Sequence, residues 1–167
     1  MIHINFLAVL VAALIPLIIG FVWYNPIFLG NAWMKAADMN IDKMKGANMP
    51  LVFGLTFVFS FFIAMAMNFM VIHQMHLASI LMNEPGFGKQ GSEIDLFLSD
   101  FIQKYGNNFR TFKHGVFHGT IGGIMLALPV IGVNALFERK GAKYIAINAG
   151  FWVVCFALMG GIISAWQ

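Results

Sequence analysis

Charge is scarce in this sequence: Asp, Glu, Lys and Arg together make up 10% of 167 residues, where a soluble globular chain carries about a quarter. Beside 60% hydrophobic residues, that is too little polar surface to clothe a water-soluble fold, and it leaves an integral membrane protein. Cysteine occurs once, as Cys155, so no intrachain disulfide can form. Set in an apolar run, Cys155 reads as core or lipid-facing filler rather than a reactive thiol. HExxH, CxxC, serine-elbow and phosphate-loop patterns are missing, so a hydrolase or nucleotide-driven activity has nothing to rest on and no enzyme is expected. The net charge of +3 comes with no nucleic-acid motif, and the basic residues sit between apolar runs, where they read as topology signals.

What is abundant is uncharged length. Four apolar segments, residues 6–24, 51–74, 115–137 and 144–166, each approach or exceed the roughly 20 residues that cross a bilayer core. The first reads as a span rather than a signal peptide, because no Lys or Arg precedes it and bulky Trp23 and Tyr24 follow it. Pro16 is expected to bend it. The expected fold is all-α: an integral membrane four-helix bundle forming a single domain over 1–167, with one amphipathic helix in the second loop. That helix is read over 92–105, where Ile94, Phe97, Leu98, Phe101, Ile102 and Tyr105 recur at helical spacing. Ser92 with Asp95 resembles a capping box and Gly106 suits the stop. Its polar side lacks the Lys/Arg face that grips anionic lipid, which leaves packing over the protein's own helix ends or docking of a partner protein.

The first segment leaves the bilayer through GFVWYNPIFLGNAWM, Gly20 to Met34. Aromatic rings suit the headgroup level, and Pro26 prevents simple continuation of the helix. This stretch resembles the signature (WY, one residue, P, two residues, FG, two residues, WM) of the small bacterial membrane family called domain of unknown function 1761, with Leu29 intruding between Phe28 and Gly30. Asn134 with Phe137-Glu138, and then Asn148, Gly160-Gly161 and Trp166, extend the resemblance across all four segments. The family brings no established activity. What the resemblance picks out is an inner-face candidate site of Tyr24, Asn25, Trp33, Asn134, Glu138 and Asn148, which could hold a small molecule or lipid, or bond helix to helix.

Two further patterns carry expectations. Gly115, Gly119, Gly123 and Ala127 stand four residues apart, so they share a helix face on which another backbone can approach closely, within one bundle or between copies. That row favours a homo-oligomer or an accessory subunit of a larger membrane assembly, with lipid as the surrounding partner. All five histidines, His3, His73, His76, His114 and His118, fall near the other membrane face. The 73/76 and 114/118 spacings place each pair on one helix face, a nitrogen-rich shell suited to zinc or copper, with Met70 or Met75 as a soft ligand for reduced copper.

Four spans put both termini and loop two on one side. Loops one and three carry six basic residues (Lys35, Lys43, Lys45, Arg139, Lys140, Lys143) and loop two carries four (Lys89, Lys104, Arg110, Lys113). The positive-inside rule then places loops one and three in the cytoplasm of a cell whose inner membrane holds the protein, with the termini and loop two outside. With Cys155 replaced, a single cysteine at Gly88 is expected to react with an impermeant thiol reagent in intact cells and one at Asn40 to be spared; the reverse pattern inverts the topology.

Overall fold

The computed structural model describes residues 3–166. In chain order it contains α1 (Phe6–Trp23), α2 (Gly30–Ala37), α3 (Ile41–Met44), α4 (Met49–Val71), α5 (Gln74–Ile80), α6 (Glu93–Tyr105), α7 (Phe112–Phe137) and α8 (Ala142–Ala165). No strand occurs among the described residues. The helices α1, α4, α7 and α8 are long and apolar enough to cross a membrane, at 18, 23, 26 and 24 residues, and the architecture is that of a multi-pass membrane protein. Three of the four begin at a side-chain cap. Asn5 Oδ1 accepts the Ala8 N–H at 3.0 Å, Asn48 Oδ1 the Leu51 N–H at 3.1 Å, and Thr111 Oγ1 the His114 N–H at 3.2 Å, each satisfying an otherwise orphaned donor. α1 runs through Pro16, whose ring is buried against the bundle.

The last helix is the hub. α8 touches α1, α2, α4 and α7, and the core of Val9, Ala12, Ala64, Met67, Val71, Ile72, Phe151, Cys155, Met159 and Ile163 is gathered around it. Cys155 is fully buried there. Large apolar side chains such as Phe21, Phe59, Phe62 and Phe117 point outward, as lipid permits and water would not.

The glycine row of α7 faces α8 within the bundle. A Cβ at Gly115 would fall on the carbonyl of Gly160, one at Gly119 on the carbonyl of Phe156, and one at Gly123 would meet Val153 Cα at 2.6 Å. The approach is reciprocal, because a Cβ at Gly160 would fall on the Gly115 carbonyl. The small face of α8 that meets α7 includes Gly160 and Ser164 beside Ala157, and Gly161 receives the ring of Phe112 at the start of α7. One sequence expectation shifts here, that of the row through Ala127. The α7 row stops at Gly123. A π-helical turn over Gly123–Ala127 inserts an extra residue and changes the phase, and Ala127 ends up half-buried in a groove with Ile63, Met70 and Val130.

The second span also ends sooner than expected. α4 closes at Val71, Ile72 turns extended (φ −109°, ψ 90°), and α5 starts at Gln74. Neither proline nor glycine marks this break. Two β-branched residues in sequence weaken the helix locally, and burial of Ile72 in the core with Gln74 beside it stabilises the turn.

Gly119→Leu should lower the thermal midpoint of the detergent-solubilised protein, since even modest overpacking costs about 1–3 kcal/mol and here the obstacle is backbone. Gly132→Leu should not, because nothing lies within 4 Å of a Cβ at Gly132. Equal midpoints for both variants would contradict the packing described.

Candidate functional site

At the loop-two face the break after α4 and the first turns of α7 bring three imidazoles together. One ring nitrogen from each of His73, His114 and His118 lies within 4.8 Å of the others, and the Nε2 atoms of His73 and His114 are 2.9 Å apart. Two nitrogens on a tetrahedral ion with bonds of about 2.0–2.1 Å sit roughly 3.3 Å apart, so small ring movements would close the three around a metal. Without one, a single N–H shared between His73 and His114 satisfies that pair. Burial, then the neighbouring His114 and His76 rings, hold the His73 imidazole below its ordinary pKa. That favours the neutral form that ligates metal. No carboxylate or thiol joins this group among the described residues.

Each ring is placed by separate local chemistry. His114 lies in the first turn of α7, fixed by the Thr111 cap, and His118 follows one turn later on the same face. His73 is held through its neighbour: the buried Gln74 Nε2 donates to the carbonyls of Asn108 at 2.7 Å and Tyr105 at 3.2 Å, pinning the end of α6 and the following turn to the start of α5. The far end of loop two is tied to the end of α8, where Arg110 Nε donates to Ser164 O at 2.9 Å and Ser164 Oγ donates to Phe109 O at 3.3 Å. A cation on the last carbonyls of a helix is favourably placed. Between these anchors Phe109 is forced to φ 62°, a left-handed conformation that bulky residues rarely adopt, and its ring lies 5.0 Å from that of His114.

The other residues expected here are elsewhere. His76 does not join, because the break turns α5 so that its Nε2 lies 2.8 Å from the Phe69 carbonyl. His73 caps α5 with helical dihedrals (φ −60°, ψ −32°) and His76 follows one turn later, but the His76 ring is directed to Phe69 and stays outside the cluster. His3 is exposed and outside the cluster. Met70 and Met75 pack against the core. Gln74, Phe109 and Arg110 escaped the sequence reading, since an isolated Gln, Phe or Arg in a loop carries no pattern.

At the opposite face the inner-face candidates divide. Tyr24 Oη donates to Asn148 Oδ1 at 3.0 Å while Asn148 Nδ2 donates to the Tyr144 carbonyl at 2.8 Å, and the Trp33 ring meets Tyr24 edge-on at 5.4 Å. Trp23 Nε1 adds a bond to the Ile147 carbonyl at 3.1 Å. Asn25 serves the turn instead: its Oδ1 accepts the Ile27 N–H at 2.9 Å and its carbonyl the Gly30 N–H at 2.9 Å. A Cβ at Gly30 would fall on the Tyr24 carbonyl, which explains a glycine at the start of α2. Asn134 and Glu138 stay out of this cluster. Ala135 is the residue of that turn buried in the bundle, and the stripe Val130, Asn134, Glu138 is exposed. What the structure assembles here is an interlock between the exit of α1 and the start of α8. Interhelical hydrogen bonds of this kind are worth about 0.6–1.7 kcal/mol in membranes. Lys140 reinforces it by donating to the Ala37 carbonyl at 2.8 Å, at the end of α2.

No curated protein and no solved structure matches this chain. A family model described as a protein of unknown function matches residues 7–164, all four long helices with both clusters. The chain therefore belongs to the family DUF1761.

Proposed function

We propose that this protein binds a divalent transition metal, zinc foremost, at the loop-two face of the membrane through His73, His114 and His118. The observation that carries the reading is the convergence of three ring nitrogens within 4.8 Å from two elements 41 residues apart. An all-nitrogen shell suits zinc or oxidised copper, and Met70 and Met75, the soft ligands expected for reduced copper, pack against the core. Three protein ligands leave a fourth coordination position for water or an exogenous group.

Binding is better supported than passage of the ion through the bundle. A transport path needs polar or ionisable groups at membrane depth. On α4 the buried polar residues are Ser60 and Asn68, and Asn68 Nδ2 is spent on the Ala64 and Met65 carbonyls of its own helix. The expectation of a homo-oligomer or accessory subunit drew on the glycine face, within one bundle or between copies, together with the amphipathic helix; of these the glycine face packs inside the bundle. Placement of the site outside a bacterial inner membrane follows from the distribution of basic residues and stands with the labelling experiment above.

Protein purified without an affinity tag from zinc-supplemented cells should carry about one equivalent of metal, as a three-histidine site holds one ion. His73→Ala combined with His118→Ala should bring it below about a tenth of an equivalent, while His76→Ala and His3→Ala leave it unchanged. Metal-free wild-type protein, or a double variant with full metal content, would end the proposal.

A further inference from the structure

His73 is also one wall of a pocket. The cavity, ≈ 420 Å³, lies under α6 and is bounded by Leu77 of α5, Phe101 and Tyr105 of α6, and Phe109. That volume falls within the range of small-molecule sites, which are concave, mostly apolar and furnished with a few polar groups. Its lining includes the polar residues His73, Gln74 and Asn108, which neighbour one another, since Gln74 follows His73 and donates to the Asn108 carbonyl. A ligand that entered would have a polar end and an apolar end.

Charge identifies the polar end. Three neutral imidazoles leave the two positive charges of a zinc ion uncompensated, and no carboxylate is grouped with them among the described residues. The lining contains no acidic residue either. An ion in that position attracts an anion to its open coordination site. The lining also contains no Lys or Arg, and the Gln74 amide nitrogen is engaged by two carbonyls. A phosphate, with several oxygens each requiring a donor, would be left undersatisfied, whereas a carboxylate can place an oxygen on the metal. The surroundings agree with an amphiphile: Leu96, Phe97 and Phe109 are exposed on the same loop, which suits a segment lying at the headgroup level of a bilayer.

We infer that the pocket under α6 takes the hydrocarbon tail of a single-chain carboxylate whose head occupies the open position on the metal held by His73, His114 and His118. This rests on the metal reading, and the test separates the two. The full-length protein in nanodiscs is loaded with cobalt(II), and its visible absorption is titrated with acetate and with octanoate, free concentrations being corrected for uptake by the bilayer. Each buried methylene is worth roughly three- to fourfold in affinity, so octanoate should bind at least about tenfold more tightly than acetate, both anions changing the cobalt spectrum. Leu77→Trp, which fills the pocket, and Phe101→Ala, which removes a wall, should each shrink that advantage while leaving the acetate titration in place. Failure of cobalt to bind overturns the metal reading and this inference together. Bound cobalt with equal affinities for acetate and octanoate, or a preference for octanoate that survives both variants, overturns this inference alone.

Discussion

In a bilayer no hydrophobic effect draws one apolar helix to another, so association depends on how closely two backbones can approach. α7 and α8 solve this with missing side chains: Gly115, Gly119 and Gly123 on one helix, Gly160 on the other. The same contact sets the height of α7 against α8. It therefore fixes where His114 and His118 stand relative to Ser164 and Trp166, the end of α8 to which Arg110 is bonded. A shift of α7 by one helical turn, roughly 5.4 Å, would separate both rings from His73.

The two ends of the bundle are finished differently. At the end where α1 leaves and α8 begins, polar groups are consumed by one another: Tyr24 with Asn148, Trp23 with the Ile147 carbonyl, Asn25 with its own turn. At the other end polar groups are arranged around three imidazoles rather than spent on each other. Gln74, Arg110 and Ser164 bond main-chain carbonyls of the loop and of α8, which orders the backbone that carries the rings. A hydrogen-bonded turn with no free valence is a structural joint. A group of three imidazoles with one hydrogen bond among them retains capacity for a ligand.

Much of this fold is legible in the chain because its elements are marked by composition. Four uncharged runs, the Ser92 and Asp95 cap and the aromatic exit at Trp23 and Tyr24 each have a local physical cause, and Ser92 Oγ accepts the Asp95 N–H at 3.2 Å. The break at Ile72 has no such mark. It exists because Ile72 and Gln74 are buried by residues far along the chain, and it decides that His73 faces α7 while His76 turns to Phe69. The π turn at Gly123 is hidden for the same reason, and so the row through Ala127 could not be stopped in the right place. Asn134 and Glu138 fit a family pattern, yet only the burial of Ala135 reveals that their stripe faces away. Spacing groups residues along one helix well and groups them poorly across a break.

The convergence of His73, His114 and His118 is tested most directly by zinc K-edge X-ray absorption on the zinc-loaded protein in nanodiscs. The expected spectrum is that of a four-coordinate ion with three imidazole nitrogens at about 2.0 Å, an oxygen donor in the fourth position and the outer-shell scattering of imidazole rings. A six-coordinate shell of oxygen donors without imidazole scattering would show that the three rings do not form the site, and would contradict the placement of α7 against α4 on which it depends.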